Sequence, residues 1–571
     1  MHTRSSQLHL LALALSLGII SCVCGKEILT HTEPMGEKIV ISCPFEDMPS
    51  WCFLPMEIQT ENPGARPADW RVSLSSQDYR GGMNIRSGCN FRALPGNASR
   101  GSSLVPTGTV SNTRESGYSY GAYIGIEAAR AGGGTGHGSI NPRTSSQSDA
   151  EKTTLLSWDM RKVEQDSRGP LVGKLFDHHL APVDWRAYCG FHSLHISDKE
   201  WQEMTPAAHT AIKHWVHLGG QLYVLGNNSA KSMAEMGLPK TGPGQRPGGV
   251  FRGSVNESYS DEEVKYFDKI ADRDWVVRAI TGDAVKEWER RDASSFATPS
   301  AQLAAGFMLF VVVGFAILVG PLNVFVFAAA RRRHRLFITT PLISLGAGGL
   351  LVASVILSDG IGGKGVRYVW MESAPTGENT QYVVQHQHSR CGAMFSTGFE
   401  IPEDAYFAPM VLAPGELSGN LSAELEPGKV LASGPWFSSR RSQNFYLAAA
   451  RPGRGRIEKT GTDERPVLTS AFDFPIGRIF WLAADGKTWW QAGSLAQGTA
   501  TALQPCTAPE VQKALDDATA LAPPEYARDL TTASRRPGYF IGLTERIAAI
   551  ETHKSIRWQT HGFVTGPAVT P

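Results

Sequence analysis

Residues 193–225 read SLHISDKEWQEMTPAAHTAIKHWVHLGGQLYVL, in which two short apolar runs enclose two helical patterns. The runs at 193–196 and 221–225 have the length and composition of buried strands. A strand, a helical connection and a second strand in this order predict a parallel pair joined by a right-handed crossover. The stretch therefore indicates an α/β domain.

Capping residues mark the helix boundaries inside this stretch. Ser197 and Glu200 have the spacing of a capping box, and Thr205 followed by Pro206 begins the second helix. Gly219 and the glycine after it end that helix. The face that we expect to be buried carries Ala208, Ala211, Ile212, Trp215 and Val216.

The flanking sequence predicts a multidomain α+β protein with a membrane hairpin. Its predicted segments are a signal peptide at 1–25, a β-sandwich at 26–131, a Gly/Ser-rich linker at 132–150, the α/β domain at 151–302, transmembrane helices at 303–330 and 336–357 around a cytoplasmic basic loop at 331–335, and an extracytoplasmic β-rich domain at 358–571. In the last domain, Asp485-Gly486 predicts a hairpin turn and 508–520 predicts a helix.

Composition excludes one class of partner. The chain has 571 residues, of which 42% are hydrophobic and 19% charged, and 55 basic against 54 acidic residues leave a formal charge of +1. A net charge this small produces no positive electrostatic field over the whole protein that would attract nucleic acid, so we expect no nucleic-acid partner. The sequence also indicates no cofactor.

The apolar stretch 303–330 exceeds the ~20 residues that a bilayer requires. A second apolar run at 336–357 completes the hairpin. The turn between the two runs contains Arg331, Arg332, Arg333 and Arg335. By the positive-inside rule this turn is cytoplasmic, so both large soluble regions are predicted to lie outside the cytoplasm.

The N-terminus is consistent with export. A basic start and the apolar run 8–20 predict a signal peptide. Val23 and Gly25 suit cleavage before Lys26, while a loose lipobox at Cys22 leaves lipoprotein processing as the alternative. The cysteines beyond this segment are Cys43, Cys52, Cys89, Cys189, Cys391 and Cys506. An oxidising compartment permits disulfides, and the spacing selects no pairing.

Two stretches carry a family resemblance. Residues 182–191, PVDWRAYCGF, and 215–226, WVHLGGQLYVLG, resemble the class I glutamine amidotransferase-like domain of a family of bacterial envelope proteins. In that family a Gly-Pro-x-Asn span, here Gly320-Pro321-Leu322-Asn323, a basic turn, a second span with a proline, here Pro341, and a β-rich domain follow. The resemblance implies a flavodoxin-like α/β domain in a protein that is anchored in the bacterial inner membrane. It supplies no substrate.

The catalytic candidates are Cys189 and Ser119. An active enzyme of the amidotransferase fold needs a cysteine on a strand-to-helix turn near a histidine and an acid. Cys189 precedes its strand, so we favour a structural cysteine. Gly117-Tyr118-Ser119-Tyr120-Gly121 fits the G-x-S-x-G pattern, but the polar residues before it predict no strand, so we favour a loop.

Two further motifs are candidate ligand sites. His386-x-His388-x-x-Cys391 has ligand types that hold zinc, although an exposed sheet edge beside a turn is the interpretation we favour. We interpret 177–179, Asp-His-His, as a polar loop in the same way. At 184–186, Asp184, Trp185 and Arg186 are expected to fix the chain through charge-assisted hydrogen bonds, with ligand binding as the alternative.

Within the hairpin, Pro321 is expected to kink the first span. Asn323 is a polar group that requires a partner inside the membrane. We favour packing between the two helices, helped by small residues in the second span, over contact with a partner membrane protein.

These features together predict a membrane-anchored bacterial envelope protein whose extracytoplasmic domains bind or scaffold without catalysis. A periplasmic hydrolase or amidase is one alternative, and an accessory subunit of a membrane transport complex is another. The expected partners are the lipid bilayer and an envelope protein or transporter complex.

Overall fold

A computed structural model describes residues 26–45, 53–77, 83–106, 123–140, 154–166, 173–191, 193–225, 254–256, 300–327, 333–359, 361–374, 379–394, 396–409, 419–439, 441–520, 522, 530 and 536–570. The chain divides into two compact units, Met1–Tyr79 with Asn84–Asp274, and Arg80–Met83 with Trp275–Pro571. Each unit contains more than one β-sheet, so the protein is multidomain and rich in strands, as the sequence predicts.

The first unit begins with two antiparallel sheets. Their strands are β1 (Lys26–Thr32), β2 (Lys38–Cys43), β3 (Phe53–Glu61), β4 (Ala68–Gln77), β5 (Met83–Ala93), β6 (Ala98–Pro106), β7 (Tyr123–Arg130) and β8 (Thr135–Ile140). One sheet has the order β1-β2-β3-β6, and β5-β4-β7-β8 are neighbours in the other. Period-two burial along β2 buries Ile39 and Ile41, as expected for strands with one face on a core.

Strand β8 lies inside the segment predicted as a linker, which is a correction for residues 135–140. The glycines that indicated flexibility serve close packing instead. A Cβ at Gly138 would lie 2.4 Å from the carbonyl oxygen of Ile28, and one at Gly136 would lie 2.5 Å from the Cβ of His31. Glycine is therefore required where β8 passes β1. Residues 141–150 lie outside the described residues.

The α/β sheet of the first unit is entirely parallel. Its elements in chain order are β9 (Thr154–Leu156), α1 (Trp158–Asp166), β10 (Lys174–Leu175), β11 (Ser193–Ser197), α2 (Asp198–Glu203), α3 (Pro206–His217), β12 (Gln221–Leu225) and β13 (Ser254–Asn256). The strand order is β10-β9-β11-β12-β13. The predicted parallel pair, the capping box of Ser197 and Glu200, and the buried face of α3 are all confirmed.

An aromatic cluster joins this sheet to the segment that follows β2 of the first antiparallel sheet. Phe45 forms a bridge with Phe176, and its ring centroid lies 5.0 Å from that of Phe191 and 6.0 Å from that of Tyr188. Such edge-to-face contacts add about 0.5–1.5 kcal/mol per pair beyond the burial of apolar area. The first antiparallel sheet and the parallel sheet therefore share part of one core.

One helix of the described residues is long and apolar enough to cross a bilayer, Leu309–Val326. It combines α4, Ser300–Ile317, with a π-helical continuation, Leu318–Phe327. Pro321 lies in the continuation, where its missing N–H interrupts regular helical bonding. A second apolar helix, α5, Leu336–Asp359, does not meet the same criterion within its described residues, so the described residues provide one candidate span where the sequence predicts two.

The rest of the second unit is mainly strands. They are β14 (Gly363–Ser373), β15 (Thr380–Cys391), β16 (Phe399–Pro402), β17 (Ala405–Pro409), β18 (Gly419–Glu426), β19 (Lys429–Ser433), β20 (Ser442–Pro452), β21 (Ile457–Thr462), β22 (Arg465–Ser470), β23 (Arg478–Leu482), β24 (Trp489–Ala492), β25 (Ala500–Ala502), β26 (Gln504–Cys506), β27 (Tyr539–Thr544) and β28 (Ile556–Val569). The main path is β17-β20-β15-β14-β28-β27-β23-β24-β26. The predicted hairpin at Asp485-Gly486 and the predicted helix, now α6 (Ala508–Thr519), are both present.

Candidate carboxyl-edge site

The strands of the parallel sheet end at a cluster of polar side chains. From β9 the chain passes to β10 on one side and then to β11 on the other, so the connections diverge between β9 and β11. Ligands of open α/β sheets bind outside the carboxyl ends of strands at such a switch point. The residues that follow β9, β10 and β11 are therefore the first place to look for a site.

Glu200 is the centre of this cluster and is only 3% exposed. Its carboxylate accepts hydrogen bonds from the hydroxyl of Ser157, the backbone N–H of Asp159 at 3.0 Å, and the N–H of Ser197. Ser157 follows β9 and Ser197 ends β11, so one carboxylate ties the ends of two neighbouring strands together. A buried charge is tolerated when it is fully hydrogen-bonded in this way.

A second carboxylate adjoins Glu200. The hydroxyl of Ser197 lies 2.9 Å from Asp159 and 3.0 Å from Glu200, and it has one proton to donate. Burial opposes ionisation of Asp159, but the hydrogen bonds from Ser197 and Lys162 outweigh it and hold the pKa of this carboxyl below its usual range. Asp159 is therefore an anion at neutral pH.

His178 comes from the third strand end, after β10, and its side chain is 6% exposed. Its Nε2 lies 3.1 Å from Oε2 of Glu203, and its Nδ1 lies 3.6 Å from Oε1 of Glu200. Asp177 fixes the local turn by accepting the backbone N–H of His179 at 3.0 Å. The ring centroids of His178 and His179 are 3.9 Å apart.

His178, His179 and Glu203 are placed so that they could hold a metal ion. In the described parts of the chain, they are the one group of three or more His, Cys, Asp or Glu residues whose ligand atoms all lie within 4.8 Å of one another. His178 is buried, while the other two are exposed. The sequence prediction of a plain polar loop at 177–179 missed this group. Its members are separated by a strand and a helix in the sequence, and the two residues of β10 are too short for a periodic signal.

The 184–186 motif has the architectural geometry that the sequence favoured. The guanidinium of Arg186 donates to both carboxylate oxygens of Asp184, at 3.0 Å and 2.6 Å, and stands 5.1 Å from the ring centroid of Phe53. Trp185 is buried in the same turn. This bidentate pair belongs to the turn that precedes β11 in the sequence.

Cys189 ends the same short turn, and its thiol is 3.8 Å from the carbonyl oxygen of Trp185. It precedes β11, whereas the residues of the carboxyl-edge cluster follow the strands. Ser119 lies outside the described residues. Among the described cysteines, Cys89, Cys391 and Cys506 have free thiols.

The 386–391 motif is corrected by the structure. Strand β15 lies between β14 and β20 and is not an exposed edge. His386, His388 and Cys391 are all buried, and His388 is hydrogen-bonded to Asn444. Cys391 lies an odd number of residues from both histidines, so its side chain is on the opposite face of the strand. The three side chains therefore do not converge on a metal, and burial raises the pKa of the Cys391 thiol to about 12, although a bond from Ser389 opposes the rise.

Between the two apolar helices, Asn323 is fully buried. Its amide donates to Thr340 at 2.9 Å and accepts from Thr339 at 2.6 Å, so its partners are on the neighbouring helix. A Cβ at Gly320 would meet no described atom within 4 Å. The same holds for Gly346, Gly348 and Gly349, so among the described atoms these glycines are not points of close approach between the helices. Pro341 lies in the second turn of α5.

The basic turn is described only in part. Arg333 and Arg335 belong to a short 3-10 turn before α5 and are exposed. Arg331 and Arg332 lie outside the described residues.

A scan of protein-family models and a search of curated proteins each find no match to this chain. Among solved structures, the mu homology domain of Fcho1 from Danio rerio with a bound Eps15 peptide is 7% identical, with a TM-score of 0.19, over 37% of this chain and 96% of that one. The yeast delta-COP-I mu-homology domain complexed with a Dsl1 WxWxV peptide is 8% identical, with a TM-score of 0.19, over 36% and 97%. Likenesses this weak carry no argument about fold or function.

Proposed function

We propose that this chain is a membrane-anchored protein of the bacterial envelope whose extracytoplasmic domains bind a ligand or partner without catalysis. The observation that carries the binding role is the polar cluster of Glu200, His178 and Glu203 at the diverging strand ends of the α/β sheet. These three residues follow the ends of β10 and β11, and Ser157 joins them from the end of β9. This is where α/β folds bind ligands.

We also propose that the α/β domain has the flavodoxin-like fold of amidotransferase-like domains, and the strand order supports this. Numbered by their sequence within the sheet, the five parallel strands lie in the order 2-1-3-4-5, which is that of flavodoxin-like domains. Fold likeness alone supplies no activity.

The cluster lacks the arrangement of a serine hydrolase. Ser157 follows a strand and precedes a helix, but it is fully buried and its hydroxyl bonds to the carboxylate of Glu200. An activated serine needs an imidazole as its base, with the acid behind that imidazole. Here the acid stands between Ser157 and His178, so no base reaches the hydroxyl. This order favours binding over the hydrolase alternative.

The large apolar side chains exposed on the two apolar helices support the proposed membrane anchor, because exposing so much apolar surface to water is unfavourable. Phe310 is 74% exposed, Phe325 78% and Phe337 86%, and these residues belong to the two apolar helices. Contiguous apolar surface on this scale marks contact with a membrane or partner. We include α5 as the second span, paired to the first through Asn323, with the basic turn on the cytoplasmic side.

Topology is tested by placing cysteines on the two sides. A membrane-impermeant maleimide applied to intact spheroplasts should label Thr210→Cys, at an exposed position of α3. It should leave His334→Cys, in the basic turn, unlabelled until the membrane is opened. The unsubstituted chain gives the background from native thiols. Labelling of position 334 from outside would refute the proposed topology.

The binding role is tested at the cluster itself. A photo-crosslinking residue replaces exposed Glu203, and a matched chain carries it at exposed His137 on β8. After irradiation in native membranes, we expect a product specific to position 203, identified by mass spectrometry, and no labelling by serine or cysteine hydrolase probes. Identical products at both positions would oppose a binding role for this edge, and probe labelling would restore the hydrolase alternative.

A further inference from the structure

We infer that His178, His179 and Glu203 bind one divalent transition-metal ion, an inference that rests on the binding role proposed for the same edge of the sheet. Their ligand atoms already lie within 4.8 Å of one another. A metal held at about 2.0–2.2 Å by imidazole nitrogen and carboxylate oxygen needs those atoms about 3–3.5 Å apart. Closing the group requires movements of about 1 Å, which the exposed side chains of His179 and Glu203 can make.

Glu200 supplies the support that metal-binding histidines require. A ligating imidazole typically donates its second N–H to a carboxylate, which fixes the orientation of the ring. Nδ1 of His178 lies 3.6 Å from Oε1 of Glu200, and Nε2 points toward Glu203 at 3.1 Å. Glu200 is itself held by Ser157 and by the N–H of Asp159. The separation between Nδ1 and Oε1 is longer than a hydrogen bond, so Glu200 would complete this support by closing on Nδ1 when an ion binds at Nε2.

The donor set selects the class of metal. Two nitrogens and one carboxylate oxygen suit zinc and its neighbours in the first transition series, whereas Mg²⁺ and Ca²⁺ prefer oxygen ligands throughout. Because two of the three ligands are exposed, the remaining coordination positions face solvent. They are open to water or to a donor group of the bound partner.

The competing interpretation is an ion pair, in which His178 is held between two carboxylates and no metal binds. Zinc titration separates the two. The full chain, purified in detergent without a polyhistidine tag and stripped with a chelator, is titrated with Zn²⁺ in a calorimeter. We expect one saturable site, and Co²⁺ in its place should give the visible absorption of a nitrogen- and oxygen-ligated ion.

Variants locate the site. His179→Ala and Glu203→Gln change exposed side chains, so folding should be retained, and each should weaken Zn²⁺ binding by about 100-fold or more, the upper end of what supporting residues contribute. Glu200→Gln should weaken it by about 10–100-fold. The matched controls are His137→Ala and Glu127→Gln, an exposed cross-strand pair on β8 and β7 of the same unit, and these should stay within about twofold.

Two results would overturn the inference. One is the absence of saturable Zn²⁺ binding to the full chain. The other is binding that His179→Ala and Glu203→Gln leave as strong as the controls. Either result with a crosslinked partner still specific to position 203 would remove the metal and leave the proposed binding role standing. Zn²⁺ binding without a partner specific to position 203 would leave the metal site standing and remove the proposed binding role.

Discussion

Replacing Glu200 with glutamine tests whether one carboxylate holds the strand ends of the α/β sheet together. Oε2 of Glu200 accepts from Ser157 and Ser197, and Oε1 accepts from the N–H of Asp159. Glutamine keeps one oxygen. The less costly orientation leaves that oxygen at the Oε2 position and turns its NH₂ group toward the N–H of Asp159, so that two donors face each other.

The expected cost follows from that single lost acceptor. A hydrogen bond to a charged group contributes about 1.5–3 kcal/mol, so we expect Glu200→Gln to destabilise the local structure by about 2 kcal/mol. Since 1.4 kcal/mol corresponds to a factor of ten, amide hydrogen exchange in α1 should accelerate by about 30-fold. Hydrogen exchange with mass spectrometry on peptides covering 154–166, in chelator-treated buffer, measures this directly.

Glu203→Gln is the matched control, because the Glu203 side chain is 42% exposed and accepts none of these backbone bonds. It should change exchange in α1 by less than about twofold, the range of ordinary surface substitutions. Equal exchange rates in the two variants would refute the reasoning that Glu200 anchors this edge.

Four further predictions concern other parts of the fold. Gln385→Leu should lower the melting temperature of the C-terminal domain, because the Gln385 amide bonds both the N–H and the C=O of Ile550 and each orphaned group costs about 1–3 kcal/mol. Asn323→Val should weaken pairing of the two apolar helices by about 0.6–2 kcal/mol, measured by unfolding in mixed detergent micelles. The Asp485 carboxyl should titrate by NMR with a pKa of about 2, because Thr488 donates to it from its hydroxyl and its backbone. Its lowered pKa means that the turn gains stability above the usual value of 3.8 and loses it as the pH falls from there toward 2. Cys391, with its pKa near 12, should resist iodoacetamide at pH 8 in the folded chain and react after unfolding.

Matched substitutions control these four measurements. Gln497→Leu, at an exposed position, should leave the melting temperature unchanged. Val326→Ala should leave helix pairing unchanged, because Val326 of the first apolar helix is 61% exposed. Thr488→Val should bring the pKa of Asp485 back toward 3.8. A cysteine at exposed position 555 should react with iodoacetamide before unfolding. A folded chain in which Cys391 reacts as fast as that added cysteine would contradict its burial.

Local sequence patterns determined much of the secondary structure. The capping box of Ser197 and the buried face of α3 could be predicted because helix caps and the 3.6-residue period involve neighbours in sequence. The hairpin at Asp485 could be predicted for the same reason, since a glycine with φ of 68° follows it. The apolar run before the arginines is a property of composition alone.

Only the tertiary structure determined which polar side chains come together and which are buried. Ser157 and Glu200 are 43 positions apart and His178 lies between them, so no periodic pattern could bring them together. The burial of His386 and His388 likewise depends on β20, whose Asn444 is 56 positions from His388. The glycines of β8 resemble a linker in the sequence because the residues that require them, His31 and Ile28 of β1, lie about a hundred positions earlier. Short-range patterns fix elements because their interactions are local, whereas a site at strand ends exists only once the order of strands in the sheet has been set.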